Sequence, residues 1–338
     1  MNKFRSGFSM IELILVMTVL GIVASISSTI IVKVYEGYIL QKGVYKANIS
    51  TELVSTQIVN RLTYSITDSI ILRKTTSNPA SRSINDINSI QSLKFANDTI
   101  KKSFGILEWI GYDNDSFSAT HNPGWSGFHD INRSEEIGTS QIIRVHTPAS
   151  NLNSATQIIG YLGKVGNKNS TLLADGAIIF SGSDYSTYKS YDPSCMGFVN
   201  SQCISRVTSI EASGTNQEIR IAKNTDSNQK KIVTDQYRLV WSAYAIVPGI
   251  LNRTTKVFTP NATDSRTGTY DLVLYSNYQP WKNETYKNGD FNLLAENVTQ
   301  FKVKGDGSII RFKICIREDT GLKAEDNLGI CKEKVVIK

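Results

Sequence analysis

Glu12 is the residue whose setting most demands a chemical explanation. It sits in the stretch Phe8-Ser9-Met10-Ile11-Glu12-Leu13, directly ahead of 20 charge-free residues from Leu13 to Val32. An ionisable side chain in a membrane-type helix costs on the order of 2–3 kcal/mol on the mildest scales. Its carboxylate therefore needs a cation. Gly7 marks the boundary between the polar start and the apolar run. A cut after Gly7 would make Phe8 a chain terminus with a positive α-amino group. In a bundle of such helices, Glu12 of one chain could then pair with Phe8 of a neighbour. Each charge would compensate the other, whereas either alone is strongly unfavourable in an apolar setting. The pairing would also fix the axial register between chains.

Other residues offer less. The four cysteines, Cys195, Cys203, Cys315 and Cys331, form two local pairs with seven and fifteen residues between partners. There is no C-x-x-C and no histidine close to either pair, so a zinc ligand set is lacking. In an oxidising compartment they read as two disulfides, paired by proximity, and in a reducing one as buried thiols. His121, His129 and His146 read as exposed loop histidines. His121 and His129 flank Pro123-Gly124-Trp125-Ser126-Gly127-Phe128, where Gly124 and Trp125 shape a turn and fill a small core. No G-x-S-x-G, P-loop or dinucleotide fingerprint is present. Two acidic clusters, Asp113-Asn114-Asp115 and Glu318, Asp319, Glu325 and Asp326, are oxygen-rich as calcium requires. They lack the spacing of a D-x-[DN]-x-[DN]-G loop. No catalytic constellation, metal site or cofactor is expected.

The element that must carry Glu12 is a helix. Twenty residues span about 30 Å, the thickness of a bilayer's hydrocarbon core. Lys3 and Arg5 precede the run, so the positive-inside rule keeps them cytoplasmic and sends the chain after Val32 to the other side. That topology favours the disulfide reading of the cysteines. A secretory signal peptide would have a shorter apolar core ending at a small-x-small site, which Ala24, Ser25, Ser27 and Ser28 imitate. Neither a signal peptide nor a plain anchor has a use for Glu12.

The stretch Gly7-Phe8-Ser9-Met10-Ile11-Glu12-Leu13, followed by its apolar helix, resembles the class III signal of type IV prepilins and type II secretion pseudopilins. The resemblance covers about the first tenth of the chain. It implies cleavage after Gly7 by prepilin peptidase, N-methylation of Phe8, and Glu12 as the assembly carboxylate. It implies as partners the peptidase, other pilin or pseudopilin subunits and an inner-membrane assembly platform. The implied location is a bacterial inner membrane crossed once, with the head in the periplasm. Gly21 falls where the family often has Gly. Thr29 stands where major pilins commonly carry Pro, and no Pro precedes Pro79, so the usual kink point is missing. Several minor pilins and minor pseudopilins share that trait, J-type ones in particular. Leu293-Leu294-Ala295-Glu296-Asn297-Val298 is similar to a segment that precedes the final hairpin of J-type pseudopilins.

Past Val32, polar residues enter while apolar ones recur at helical spacing: Tyr38, Tyr45, Ile49 and Leu53, then Val54, Ile58, Leu62 and Ile66. This stripe is suited to packing on a sheet. Beyond it the chain reads as short strands rich in Ile, Val, Tyr and Phe, with linkers of Asn, Ser, Asp and Gly. Expected strands are Ser92–Phe95, Phe104–Trp109, Gln141–His146, Gln157–Leu162, Gly176–Ser181, Val207–Glu211, Glu218–Ala222, Tyr237–Ala245, Thr269–Ser276, Val298–Lys304 and Ile309–Ile316. No helical pattern of comparable strength follows residue 75. The predicted fold is α+β: a long helix packed on a β-rich antiparallel head. The divisions are a leader over 1–7, a membrane helix over 8–34, its amphipathic continuation over 35–75, and a head over 76–338 with an inserted lobe near 112–205. Cys195 and Cys203 would staple a loop in that lobe, and Cys315 and Cys331 would close the last one.

The net charge is +7, of which Lys3 and Arg5 supply two. The remainder reads as a solvated basic surface, with weak attraction to DNA or anionic lipid as the alternative. The function read from the sequence is a minor pilin or pseudopilin, a structural subunit and not an enzyme. The rivals are a tip adhesin or DNA-binding head on the same stem, and a membrane-anchored enzyme.

Overall fold

The computed structural model describes residues 9–74, 90–92, 104–117, 123–134, 136–137, 142–165, 168–181, 193–198, 201, 203–211, 217–222, 233–265, 267–306, 308–318, 320–321 and 329–338. The chain is α+β, as its sequence predicts. A 54-residue helix, α1 (Met10–Thr63), leads into an antiparallel β-rich head. At 1.5 Å per residue α1 is about 81 Å long. No proline interrupts it. It stops at Thr63, short of the expected end near residue 75, because Ser65 breaks away to bridge Gly111 of the sheet.

The strands, in chain order, are β1 (Ile71–Lys74), β2 (Ile90–Ser92), β3 (Phe104–Tyr112), β4 (Glu136–Ile137), β5 (Ile142–His146), β6 (Ala177–Phe180), β7 (Ser205–Glu211), β8 (Glu218–Ala222), β9 (Tyr237–Leu251), β10 (Phe258–Pro260), β11 (Tyr270–Tyr278), β12 (Asp290–Asp306), β13 (Ile309–Arg317) and β14 (Gly329–Ile337). They join in the order β14-β13-β12-β11-β9-β6-β7-β8-β5-β4, with β3 and β10 also on β9, and β1 and β2 following β3. Most of the expected strands are present within a residue or two. Residues 93–95 of the first one lie outside the described residues.

β9 is the hub, pairing with β3, β6, β10 and β11. Its two faces exchange partway along. Tyr237, Leu239 and Trp241 face one cluster, whereas Val240 lies in another together with Ala243, Ala245 and Val247. Register shifts at Gly111/Tyr112 and at Tyr275/Tyr278 mark the change. An extra residue in one strand re-aims every side chain beyond it. Ser242 secures the irregularity: its hydroxyl accepts from the Asn277 amide at 3.0 Å, and Asn277 adopts a left-handed φ of 59°.

Among the described residues, three hydrophobic clusters result. One joins α1, through Val54, Ile58 and Leu62, to Phe312, Ile314 and Ile316 of β13. A second lies around Tyr278, Trp281 and β9. The third, around Trp125, Leu172 and Trp241, draws on the segment expected as an inserted lobe and runs on to Ile219 and Ile221.

Three expectations need correction. Gln157–Leu162 is not a strand; it belongs to a helix, Leu152–Val165, so the head does contain a second substantial helix. Short helices at Asn114–Phe117 and Leu172–Asp175 flank it in the chain. Leu152, Ala155 and Ile159 are fully buried along its inner face, and Asn151 caps it by accepting from the Ser154 amide at 3.2 Å. The Ile158-Ile159 and Tyr161-Leu162 doublets imitate a strand, and Gly160 and Gly163 lower helix propensity. Packing overrides both: a Cβ on Gly163 would stand 2.5 Å from Ser170 Cβ. Leu293–Val298 does not precede a strand but lies inside β12, which starts at Asp290. β14 was not expected, and it turns the anticipated final hairpin into a three-stranded meander.

One ion pair is fully internal. Arg73 donates to both Glu108 carboxylate oxygens, at 2.7 and 3.1 Å, with both side chains under 5% exposed. Removing one member of such a pair strands the other charge, whereas replacing both by apolar groups need not cost stability. Arg73→Met should lower stability by about 3–5 kcal/mol, and Arg73→Met/Glu108→Leu should regain most of it. Urea unfolding followed by the fluorescence of the buried tryptophans measures both, and equal losses in the single and double variants would contradict the assignment.

Candidate assembly site

Ser9 is extended, with φ −70° and ψ 142°. Its carbonyl accepts from the amides of Glu12 and Leu13 at 3.0 and 3.2 Å, which starts the helix. Glu12 thus stands in the first turn, where a negative charge complements the exposed amide ends. From Met10 to Val34 the stem is bare: Met10, Ile14, Leu20, Ile26 and Ile31 are all more than half exposed. No part of its most apolar stretch is buried, and it is long and apolar enough to cross a membrane. Its hydroxyls suit that environment. Thr18 donates to the Ile14 and Leu15 carbonyls, and Thr29 to those of Ser25 and Ile26. A threonine satisfied within its own helix adds no unpaired donor to an apolar phase. Gly21 has nothing within 4 Å of a would-be Cβ, so its small size answers no contact within this chain. Gly7 and Phe8 lie outside the described residues.

The second half of α1 docks on the head through small residues. Gly43, Ala47, Thr51 and Ser55 are buried at four-residue intervals, followed by Ile58 and Leu62. A Cβ on Gly43 would come within 2.6 Å of Thr320 Cγ2. Thr51 hides its hydroxyl by donating to the Ala47 carbonyl at 2.6 Å. The expected sheet-facing stripe is therefore half correct. Val54, Ile58 and Leu62 are buried, but Tyr38, Tyr45, Ile49 and Leu53 remain between 47% and 66% exposed. Small side chains let helix and strand backbones approach closely, so the larger apolar residues were left on the opposite face.

Charged contacts flank this ridge. Lys46 pairs with Glu318. Glu52 accepts from Lys332 at 2.6 Å and Lys334 at 2.8 Å, both on β14. The hydrogen bonds from these two lysines hold the Glu52 carboxyl down to about 2. Lys338 closes the end of the helix, donating to the carbonyls of Leu62, Thr63 and Ser65. Arg61 lies 5.2 Å from the centre of the Tyr244 ring.

The structure corrects the histidines. His129 and His146 are not exposed but 0% and 5% accessible. His129 Nδ1 meets the Thr234 carbonyl at 2.9 Å and its Nε2 meets the Ser134 hydroxyl. Arg133 donates to His146 Nε2 at 2.9 Å. Burial lowers the pKa of both rings, and the Arg133 charge lowers that of His146 further. These are contacts of a packed interior. His121 lies outside the described residues.

Trp125 fills a core, as expected, and donates from its indole to the Asp113 carbonyl at 2.8 Å. The Asp113 carboxyl is itself buried, and desolvation raises it to about 6. Of the second acidic cluster, Asp319, Glu325 and Asp326 lie outside the described residues. Among the described residues, no group of three or more His, Cys, Asp or Glu is placed to hold a metal ion.

The cysteines are joined as Cys195–Cys203 and Cys315–Cys331, with Cα–Cα distances of 5.2 and 4.0 Å. The first bond holds a short turn against the Tyr278 and Trp281 cluster rather than the Trp125 cluster. There Gly197, at φ 98°, lets the chain pass 2.8 Å from the Trp281 amide nitrogen, measured from a would-be Cβ. The second bond links directly opposed residues of β13 and β14.

Comparison with known families gives one match: residues 2–28 fit the prokaryotic N-terminal methylation motif. No curated protein matches the chain. No solved structure matches it either. The chain thus carries a type IV prepilin-like signal followed by a long apolar helix, and the head extends well beyond the matched segment.

The Glu52 contacts carry a pH signature. A carboxyl whose folded pKa lies below its unfolded value adds stability above the unfolded pKa, and loses it as pH falls towards the folded one. Docking of α1 on β14 should weaken between about pH 4.5 and 2, the ordinary and folded values for Glu52. The Glu52→Gln variant should lack that part of the acid dependence, as denaturant midpoints measured across the range would show.

Proposed function

We propose that this chain is a minor subunit of a type IV pilus or type II secretion pseudopilus. The observation that carries the proposal is the bare stem: an apolar helix that its own head leaves uncovered, with Glu12 in its first turn and its start lying inside a methylation motif. A helix with that much exposed apolar surface requires an apolar environment. Lipid supplies one before assembly, and neighbouring stems supply one afterwards. In this reading prepilin peptidase cuts after Gly7 and the new Phe8 amine is N-methylated. The head faces the periplasm, where the two disulfides are stable. Assembly transfers the stem from lipid to a helical filament, with Glu12 of one subunit paired to Phe8 of the next. The partners are the peptidase, other pilin or pseudopilin subunits and an inner-membrane assembly platform. The role is structural, with no enzymatic step assigned to the head. The size of the head and the proline-free helix suit a rare subunit over the repeating one.

Two measurements test this. Mass spectrometry of the N-terminus of protein taken from its native membrane should find N-methylated Phe8. A retained Met1, or a cut near residues 24–28, would sink the proposal. Glu12→Ala should still insert and be cleaved but drop out of purified filaments, since nothing then neutralises the neighbour's amine. Normal incorporation of that variant would overturn the pairing mechanism while leaving the processing intact.

A further inference from the structure

The C-terminal meander shows two unlike faces. Side chains alternate across a sheet. Ile310, Phe312, Ile314 and Ile316 of β13, with Val336 of β14, pack towards α1. The other face carries Lys302 and Lys304 of β12 and Arg311 and Lys313 of β13, all exposed. The register sets Lys302 directly opposite Lys313, and Lys304 directly opposite Arg311. On β14 the two rows continue into Glu333 and Val335. Among the described residues, none of the four cations is ion-paired, in contrast to Lys332 and Lys334 on the helix side. Like charges directly opposite one another destabilise a sheet. Charge placed to keep sheet edges apart belongs on the edge strand, yet these two pairs lie on the interior strands β12 and β13.

We propose that this face binds double-stranded nucleic acid through its phosphates. Cross-strand neighbours stand about 4.8 Å apart, and same-face neighbours along a strand about 7 Å apart. The result is a compact two-by-two grid of positive charge, with Glu333 at its margin on β14. A dense polyanion relieves the repulsion within the grid and releases its own counterions on binding. Beside the grid, Phe301 and Phe312 turn towards the helix side, and Phe291, at the other end of β12, packs on Phe258 and Tyr275. Base stacking, on which single-strand binders rely, is therefore missing, and recognition is of the duplex backbone without sequence preference.

A membrane surface is disfavoured by position, a point that rests on the proposed stem. Glu52, which marks the level of Lys332 and Lys334, is 20 residues past Val32. That distance is about 30 Å along the helix, against a screening length of about 8 Å at physiological salt. Lys338 meets the far end of α1, so the row containing Arg311 lies farther out still. The grid also points away from α1, and so away from a filament core built of stems.

The test uses the full chain in neutral detergent micelles and a labelled mixed-sequence duplex, with anisotropy recorded between about 50 and 200 mM salt. Four phosphate contacts predict a slope of log K against log salt of about −3.6, and Lys304→Gln/Arg311→Gln should bring it to about −1.8. Removing the Glu333 carboxylate with Glu333→Gln should tighten binding, while Lys164→Gln on the Leu152–Val165 helix should change nothing. The proposal is overturned by absence of duplex binding at low salt, by an unchanged slope in the double variant, or by tighter binding of single-stranded DNA. It is equally overturned if polyglutamate displaces the duplex at equal charge concentration, which would point to an acidic protein surface. None of these outcomes depends on the state of the N-terminus, so failure here is distinct from failure of the filament reading.

Discussion

One continuous helix has to satisfy two solvents, and the remaining structure is arranged around that demand. The first half of α1 is clad in Ile, Leu, Val and Met that contact nothing in the head. The second half must join a sheet without a break in the helix, which runs on unbroken and free of proline to Thr63. The small-residue ridge of Gly43, Ala47, Thr51 and Ser55 meets the requirement. It brings the helix close to the strands without interrupting it. Glu52 and Lys338 then hold the docked portion at its middle and at its end. Both contacts are polar and partly exposed, so they fix position more than they supply net stability. The stabilising burial comes from Val54, Ile58 and Leu62, at about 1.5–3 kcal/mol for each fully buried side chain.

The sequence was most legible where one physical requirement dominates. A charge-free run with a lone carboxylate has few structural solutions, so the stem could be read from Gly7, Glu12 and Leu13–Val32 alone. Strands with strong β-branched content were legible for the same reason. The choice of helix face was not. Tyr38, Tyr45, Ile49 and Leu53 have the hydrophobicity expected of a buried stripe, but the sheet selected the smaller residues beside them. Hydrophobicity ranks candidates for burial, whereas close backbone approach depends on side-chain volume. The Leu152–Val165 helix was hidden by doublets of β-branched and aromatic residues, although its buried positions Leu152, Ala155 and Ile159 do keep helical spacing. β14 escaped because Lys332, Glu333 and Lys334 interrupt its apolar pattern; the lysines reach Glu52 on α1 and the glutamate points the other way. Burial of His129 and His146 depended on partners as remote in sequence as Thr234, which no local pattern reveals.

The same three C-terminal strands present both an inner and an outer surface, and the period of two that separates them makes both depend on register. A slip of one residue between β13 and β14 would turn Lys332 and Lys334 away from Glu52. It would also bring Glu333 and Val335 round to the helix side and dismantle the rows opposite Arg311 and Lys313. Hydrophobic patterning alone specifies this pairing weakly, because β14 offers just one buried side chain, Val336. The Cys315–Cys331 bond removes the ambiguity: it joins residues that are already opposite each other, so a slipped register cannot form while it is closed. On this argument the disulfide's main contribution is not the closing of a surface loop. It couples the helix dock on one side of the sheet to the cation grid on the other, so that one covalent bond sets the alignment of both.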